Sequence, residues 1–512
     1  MKTNNKLKHL IIVAAAGAQF TLPTFAADAV ATGTNGAAPV EIPALAADDG
    51  SSTEAAEIKA LKQQVEALVQ KVNNLEQQRG PAEQSATIQN LDQQVRILQR
   101  QRELDQDAAV AKAATAPKIT LGASGFSFSS ADSNFVTQIH GLVQLDSRTF
   151  FRDGGINGND GFLLRRARPI FSGTVFRNFD YNFTPDFGGS TVQIQDAYVT
   201  YRFAPEFQIQ AGKFKSPVGL EHLQSDPVTS FNERSLVSQL VPNRDLGLAL
   251  KGDVFGGAVS YTLGLFNGAP DYSGATVNSS FQDNRAFAGR LFFQPWKNTD
   301  VNALRGLGFG VGGSYQVNHP ATNMATGLTP AYTTDGQQKF FTYSSGVNAN
   351  GPAWRISPQA YYYFGPFGLL GEYVVSDQEV TKAAKSGDLQ NTAWQISGGW
   401  VLTGEDASFT GITPRSPFDP RKNQWGALQL VARYAALDVD DEAFKQGFAN
   451  PAKSADTATA WAVGLNWYLN KNIRANLSFS QTAFGGFTGK AAPGTVPAQN
   501  ENVLFTRVQL SF

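Results

Sequence analysis

Apolar residues fall at helical spacing in the first part of the chain and at alternate positions from about residue 135. Ile58, Leu61, Val65, Leu68, Val72 and Leu75 are spaced 3-4-3-4-3, with Lys, Gln, Glu and Asn between them. That is a heptad seam. Ser51 and Glu54 stand at capping-box spacing where it begins, and Gly80-Pro81 interrupts it. A second seam, Ile88, Leu91, Val95 and Leu98, restarts out of phase and decays into Arg102 and Asp105. The spacing predicts an α-helical coiled coil over 51–110. β-Branched residues alternating with Leu favour two strands in such coils.

Beyond residue 135 the period becomes two, as in strands with one face in lipid and one in water. Trp461, Val463, Leu465, Trp467 and Leu469 form one apolar face, with Ala460, Ala462, Gly464, Asn466 and Tyr468 between them. After Asn470-Lys471-Asn472 come Ile473, Ala475, Leu477 and Phe479, alternating with Arg474, Asn476, Ser478 and Ser480. Val259, Tyr261, Leu263 and Leu265, and Leu428, Leu430, Ala432 and Tyr434, are further lipid faces. Segments of this kind begin near residues 135, 162, 179, 192, 207, 245, 258, 285, 305, 354, 367, 391, 425, 456, 473 and 501. They predict an all-β fold over 135–512, a transmembrane antiparallel barrel of about 16 strands, the size that leaves an aqueous lumen. The short turns Ala204-Pro205-Glu206, Gly365-Pro366-Phe367 and Asn470-Lys471-Asn472 fall on the side where an even strand count puts both barrel ends. Short turns are periplasmic in such barrels, so the coiled coil is expected in the periplasm.

Composition narrows the class. The chain has 49 Gly and 37 Phe among 512 residues, no Cys and four His. It has no apolar run of the length that a spanning helix needs. Lys2, Lys6 and Lys8, then Leu10 to Ala18, then Thr24-Phe25-Ala26, read as a signal peptide over 1–26. Residues 27–50 and 111–134 read as linkers. The net charge of -1 gives no bulk basic surface for nucleic acid. His140, His222 and His319 are scattered, so no metal, cofactor or catalytic constellation is expected.

The arginines carry the candidate chemistry. Once each lipid face is fixed, Arg148, Arg290, Arg433, Arg474 and Arg507 fall on the lumenal parity, and so does Arg355, although both faces of its strand carry aromatics. A lipid-facing Arg near the bilayer centre would cost about 2–4 kcal/mol. Guanidinium groups stay charged and pair with phosphate, and rings of Arg or Lys select anions. Phe162-Leu163-Leu164-Arg165-Arg166-Ala167-Arg168 places Arg166 and Arg168 on one face and Arg165 on the other. Gly212-Lys213-Phe214-Lys215-Ser216-Pro217 places two lysines on one face. Parity from Phe207, Ile209 and Ala211 would point them outward, so a bend near Gly212 or a position at the rim is required. Residues 216–244 lack alternation and contain Glu221, Asp226, Glu233, Arg234 and Arg244. They read as a loop that folds into the pore.

Leu164-Arg165-Arg166-Ala167-Arg168, Gly212–Pro217, Glu233-Arg234-Ser235-Leu236-Val237, Phe266-Asn267-Gly268, Leu402-Thr403-Gly404-Glu405, Trp425-Gly426-Ala427 and Gly464–Asn470 together resemble the phosphate-selective porin O and P family. The resemblance implies a trimeric channel of about 16 strands in the outer membrane of a Gram-negative bacterium, with inward loops and an Arg/Lys ladder for phosphate-type anions. It makes Arg165, Arg166, Lys213 and Lys215 candidates for the anion path, beside Arg148, Arg168, Arg234, Arg244, Arg290, Arg355, Arg433, Arg474 and Arg507. Expected partners are small anions, outer-membrane lipid, two further copies of the chain and, through the coiled coil, the cell wall. The alternatives are a general porin on the same scaffold and a cell-wall tether that the barrel merely anchors.

Overall fold

The computed structural model describes residues 62–71, 73–74, 81–151, 158–189, 191–272, 285–319, 329–486 and 500–512. The signal peptide, the 27–50 linker and much of the first heptad seam lie outside them. The chain divides into two units, Met1–Glu103 and Leu104–Phe512. Residues 62–71 are helical, and a 35-residue helix, α1, runs from Pro81 to Thr115. It continues through Arg102 and Asp105, where the heptad pattern fades. The seam residues Ile88, Val95 and Leu98 are all exposed on the single chain.

The stretch 111–134, expected as a linker, contains the end of α1 and a hairpin of β1 (Lys118–Gly122) and β2 (Gly125–Ser129). Next come β3 (Val136–Phe150), β4 (Gly161–Val175), β5 (Phe179–Asp186), β6 (Gln193–Ala204) and β7 (Phe207–Lys215). After the segment 216–243, which carries the short helix α2 (Leu220–Leu223), follow β8 (Arg244–Val254), β9 (Val259–Phe266), β10 (Ala286–Phe293) and β11 (Leu307–Asn318). A small hairpin, β12 (Ala331–Thr333) and β13 (Lys339–Thr342), precedes β14 (Asn348–Phe364), β15 (Phe367–Lys382), β16 (Lys385–Val401) and β17 (Ala427–Asp438). A one-turn helix, α3 (Glu442–Lys445), leads to β18 (Thr457–Tyr468), β19 (Ile473–Gly485) and β20 (Glu501–Ser511).

Among the described residues, β3–β11 and β14–β20 make a sixteen-stranded antiparallel barrel, each strand paired with its neighbours in sequence. It closes where β20 pairs with β3, from Val503 opposite Phe150 to Ser511 opposite Leu142. Closure gives every strand two partners, as hydrocarbon demands of a spanning sheet. The connections 176–178, 205–206, 255–258, 365–366 and 469–472 are short and share one end with the carboxy terminus. Segment 402–426 belongs to the same end and is long. Its part around Ala407–Ile412 turns inward, as described below.

The faces follow the alternation. Along β18, Ala458, Ala460 and Ala462 are buried, while Trp461, Val463 and Leu465 are exposed. Along β19, Arg474, Asn476, Ser478, Ser480 and Thr482 are buried, and Ile473 and Leu477 are exposed. Along β19 polar side chains are inside and apolar ones outside, the inverse of a soluble core. At the short-turn end the outer surface carries Phe203, Phe207, Phe364, Phe367, Trp400 and Trp425, a partial aromatic girdle. Trp467 donates from Nε1 to the Trp425 carbonyl at 2.6 Å, which gives an indole in this zone its polar partner.

One irregularity places chemistry. β3 and β4 shift register between Gln144 and Leu145, which pair with Arg166 and Leu164. Arg165 is therefore an extra residue on β4, a β-bulge. Parity alone separates Arg165 from Arg166; the bulge corrects that expectation and lets both consecutive side chains reach the lumen. The outer face is predicted to tolerate no charge at mid-strand. Leu477→Arg should lower unfolding stability by about 2–4 kcal/mol, measured by urea unfolding from lipid vesicles.

Candidate functional site

The lumen is built by three segments that fold into it. The first is 216–243. Gly212 adopts φ +128°, and a Cβ there would lie 2.2 Å from the Ala197 carbonyl oxygen, so only glycine fits this bend of β7. The sequence pattern left open a bend here or a position at the rim, and β7 keeps its register with β6 and β8 through Gly212. Past it, Val218, Leu220, Leu236, Val237, Leu240 and Val241 are almost wholly buried. The backbone N–H groups of Leu220 and Glu221 donate to the Glu372 carboxylate of β15 at 2.7 and 3.1 Å, and Ser357 Oγ donates to it at 2.9 Å. Gln359 Nε2 holds the Val218 carbonyl at 2.9 Å.

The second segment is the β12–β13 hairpin. Tyr332 and Phe341 have no exposed surface, and Phe340 has almost none. Its turn is gripped by Glu501, which accepts from Thr334 Oγ1 at 2.9 Å and from the Gly336 N–H at 3.1 Å. The third is the part of 402–426 around Ala407–Ile412. Phe409 stacks on Tyr361 with ring centroids 5.1 Å apart, and its carbonyl accepts from Gln224 Nε2 at 2.9 Å. Apolar parts of the first two segments pack with the inner faces of β15–β18 into one buried cluster containing Val374, Val380, Leu389, Ala393, Ala435 and Leu437. Near the short turns, Phe292, Leu220 and Leu370 pack with Tyr361 and Phe409. The β14–β18 side of the lumen is thus largely filled.

The candidate cations meet carboxylates. Asp226, in the first segment, takes ion pairs from Arg234 at 2.7 Å, from Arg166 at 3.4 Å and from Arg168, which also pairs with Asp186 at 2.6 Å. Glu233 is shared by Arg165 at 2.6 Å and Arg148 at 2.8 Å. Arg433 reaches Glu221 at 3.3 Å and Asp335 at 2.8 Å, with its guanidinium 4.5 Å from the Phe231 ring centre. Arg507 forks onto Asp146 at 2.6 and 2.7 Å and Arg244 onto Asp196 at 3.0 and 3.2 Å, while Arg355 pairs through Nε with Asp271 at 2.5 Å. Burial opposes the charge on Asp226 and Glu233, but the guanidiniums outweigh it. Arg166, Arg234 and Arg168 hold Asp226, and Arg165 and Arg148 hold Glu233, well below the usual carboxylate range.

The lumenal parity expected of Arg148, Arg290, Arg355, Arg433, Arg474 and Arg507 is what the strands show, but a free ladder is not. Lys215, Arg290 and Arg474 are the candidates for which no carboxylate partner is found among the described residues. Lys215 Nζ donates to the Gln224 carbonyl at 2.8 Å. Arg290 donates to Gln359 Oε1 at 2.8 Å and lies 4.2 Å from the Phe292 ring centre. Arg474 lies 5.6 Å from the Tyr468 ring centre, and two of its nitrogens, Nε and Nη1, are buried without a partner. Lys213 is buried with 2% of its surface exposed.

Open space survives beside β3–β8. A cavity of about 650 Å³ lies there, bordered by Arg168, Lys215, Arg244 and Lys251 and by two carboxylates, Asp196 and Asp226. His140 and Phe512 place it toward the short-turn end. Lys251 was absent from the sequence-derived candidates. It lies on the lumenal face of β8, donating to Gln210 Oε1 at 2.5 Å. The alternation of Leu248 and Leu250 with Ala249 and Lys251 was the signal for it.

A closed barrel with a polar lumen, inward loops and the Arg165–Arg168 motif is matched by one family model, phosphate-selective porin O and P, over residues 138–512. The chain belongs to that family. It is an outer-membrane porin, a channel and not an enzyme. Porin O of Pseudomonas aeruginosa is 21% identical over 399 residues, 69% of this chain and 84% of that protein. Among solved structures, the outer-membrane channel DcaP of Acinetobacter baumannii is similar at 12% identity and a TM-score of 0.47, covering 76% of this porin and all of that chain. An anion-selective porin from Comamonas acidovorans is similar at 12% identity and a TM-score of 0.44, covering 73% and 99%.

Asp226 neutralises the most crowded part of this porin's cation cluster. Asp226→Asn should raise chloride-over-potassium permeability, read from the reversal potential across a salt gradient. It should also cost about 3 kcal/mol of stability, since three buried guanidiniums lose a shared counter-charge. An unchanged reversal potential would show that this carboxylate does not bear on the ion path.

Proposed function

We propose that this porin is an anion-selective channel for phosphate-type anions, and that its anion path runs along the β3–β8 side of the lumen. The observation that carries the reading is the lining of the inner cavity: four cations, Arg168, Lys215, Arg244 and Lys251, against two carboxylates, Asp196 and Asp226. An anion entering a narrow pore sheds water, which is costly unless fixed charges replace it. Several cations in succession share the ion, so no single one holds it too tightly for release. The family to which the chain belongs supports phosphate as the cargo. Arg165 and Arg166 adjoin the path through Glu233 and Asp226, while Arg355, Arg433 and Arg507 act as struts that fix the wall. The reading includes trimers and a periplasmic coiled coil formed by the α1 seam, whose apolar residues are exposed on one chain.

A weakly selective general porin is the second reading. It is favoured by the pairing itself, since Arg148, Arg165, Arg433 and Arg507 are each matched by a carboxylate. Reversal potentials in a potassium chloride gradient separate the two. Chloride preference is expected, with phosphate blocking the chloride current. Lys215→Ala and Arg166→Ala should each weaken that block about tenfold, the equivalent of about 1.4 kcal/mol, and exposed Lys453→Ala should leave it unchanged. Potassium preference, or block unaffected by both lumenal substitutions, would remove the anion reading.

A further inference from the structure

The inner cavity has two kinds of wall. Lys215 and Lys251 donate to neutral oxygens, of Gln224 and Gln210, so their charge is not spent on a carboxylate contact. Beside them the lining is apolar: Ile170 of β4, Tyr198 of β6, Phe214 of β7 and Leu223 of α2. Tyr198 and Phe214 meet edge to face at 6.1 Å, forming a fixed aromatic surface. Ile170 shares the lumenal parity of Arg166 and Arg168, so the apolar patch belongs to the wall that carries the cations.

A bare inorganic anion gains nothing from such a surface. It must give up water against groups that return no hydrogen bond. An anion joined to an aryl or alkyl body gains there what the inorganic ion loses, because the body leaves water for a preformed apolar face while the charged head stays on the ammonium groups. We propose that the inner cavity selects organic anions over inorganic phosphate, with the head at Lys215 and the body on the apolar lining of Ile170, Tyr198, Phe214 and Leu223. This rests on the anion-selective reading and adds the substrate class.

The full-length channel in planar bilayers tests it, with inorganic phosphate and phenyl phosphate as blockers of chloride current at one pH. Phenyl phosphate is expected to reach half-block at a concentration about tenfold lower, the order that burying one small apolar group provides. Tyr198→Ala should cut that ratio several-fold, and Tyr198→Phe, which keeps the ring, should preserve it. Ile170→Ala should lower the ratio as well and serves where the Tyr198 variant fails to insert. A wild-type ratio near one, or a ratio untouched by both alanine variants, overturns the proposal. The reversal potential keeps the two readings apart. A chloride-preferring channel with a ratio near one loses only the organic-anion selection, whereas a potassium-preferring channel loses both.

Discussion

In hydrocarbon an unpaired peptide group has no solvent to turn to, so a sheet that crosses a membrane must close on itself. Here that requirement falls on the pairing of β20 with β3, residues at opposite ends of the barrel sequence. The rest follows from it. A closed sheet has an outer face that meets lipid and an inner face that does not, and the chain must sort its side chains by alternate positions. Every guanidinium barred from the lipid face is delivered to the lumen, where the cations crowd together. Crowded buried cations need counter-charges. Asp226 and Glu233 supply them from a segment that is not part of the wall. The same contacts that neutralise the arginines therefore tie 216–243 into the pore.

The lumen is divided by role. On the β14–β18 side, Tyr332, Phe341, Leu389 and Leu437 form an apolar core of the sort a soluble domain has. Beside β3–β8 open space remains, lined by cations and by an apolar patch. A sixteen-stranded wall thus encloses a lumen much of which is filled by the chain itself. Arg355 and Arg507 are locked by bidentate or short ion pairs and behave as structure. Lys215, Lys251, Arg290 and Arg474 donate instead to uncharged oxygens.

The strand pattern was legible because lipid imposes it. Most expected starts lie within two residues of the observed ones, from Phe179 to Ile473. The larger differences are β14, which begins at Asn348 instead of 354, and β16, which begins at Lys385 instead of 391. Asn348–Gly351 and Lys385–Gln390 carry no apolar alternation, so they give no periodic signal although they pair as strand. Arg165 was misplaced for a related reason: a single bulged residue inverts parity locally and leaves no mark in hydropathy. The ion-pair partners were out of reach altogether. Arg507 and Asp146 are 361 positions apart, and Arg433 and Glu221 are 212. Nothing in either neighbourhood announces the other, so a row of arginines reads as free charge until the fold supplies its carboxylates.

The β1–β2 hairpin solves a problem at the seam of the barrel. β20 ends opposite Leu142, while β3 begins at Val136. Gly141 still pairs with Phe512, so five residues of β3 overhang, and β2 covers four of them, Val136 to Ile139. Asn472 Nδ2 bonds the Ala123 carbonyl at 2.6 Å and fixes the hairpin beside the last turn. Sheet edges are templates for unwanted pairing, and an overhang at the closing seam would sit in the aqueous compartment through which a barrel passes before it inserts. The hairpin relocates that edge to β1, only five residues long and opened by Lys118. What looks like a tether between helix and barrel is thereby also the seam's cover, with β2 in the place of a strand that β20 is too short to supply.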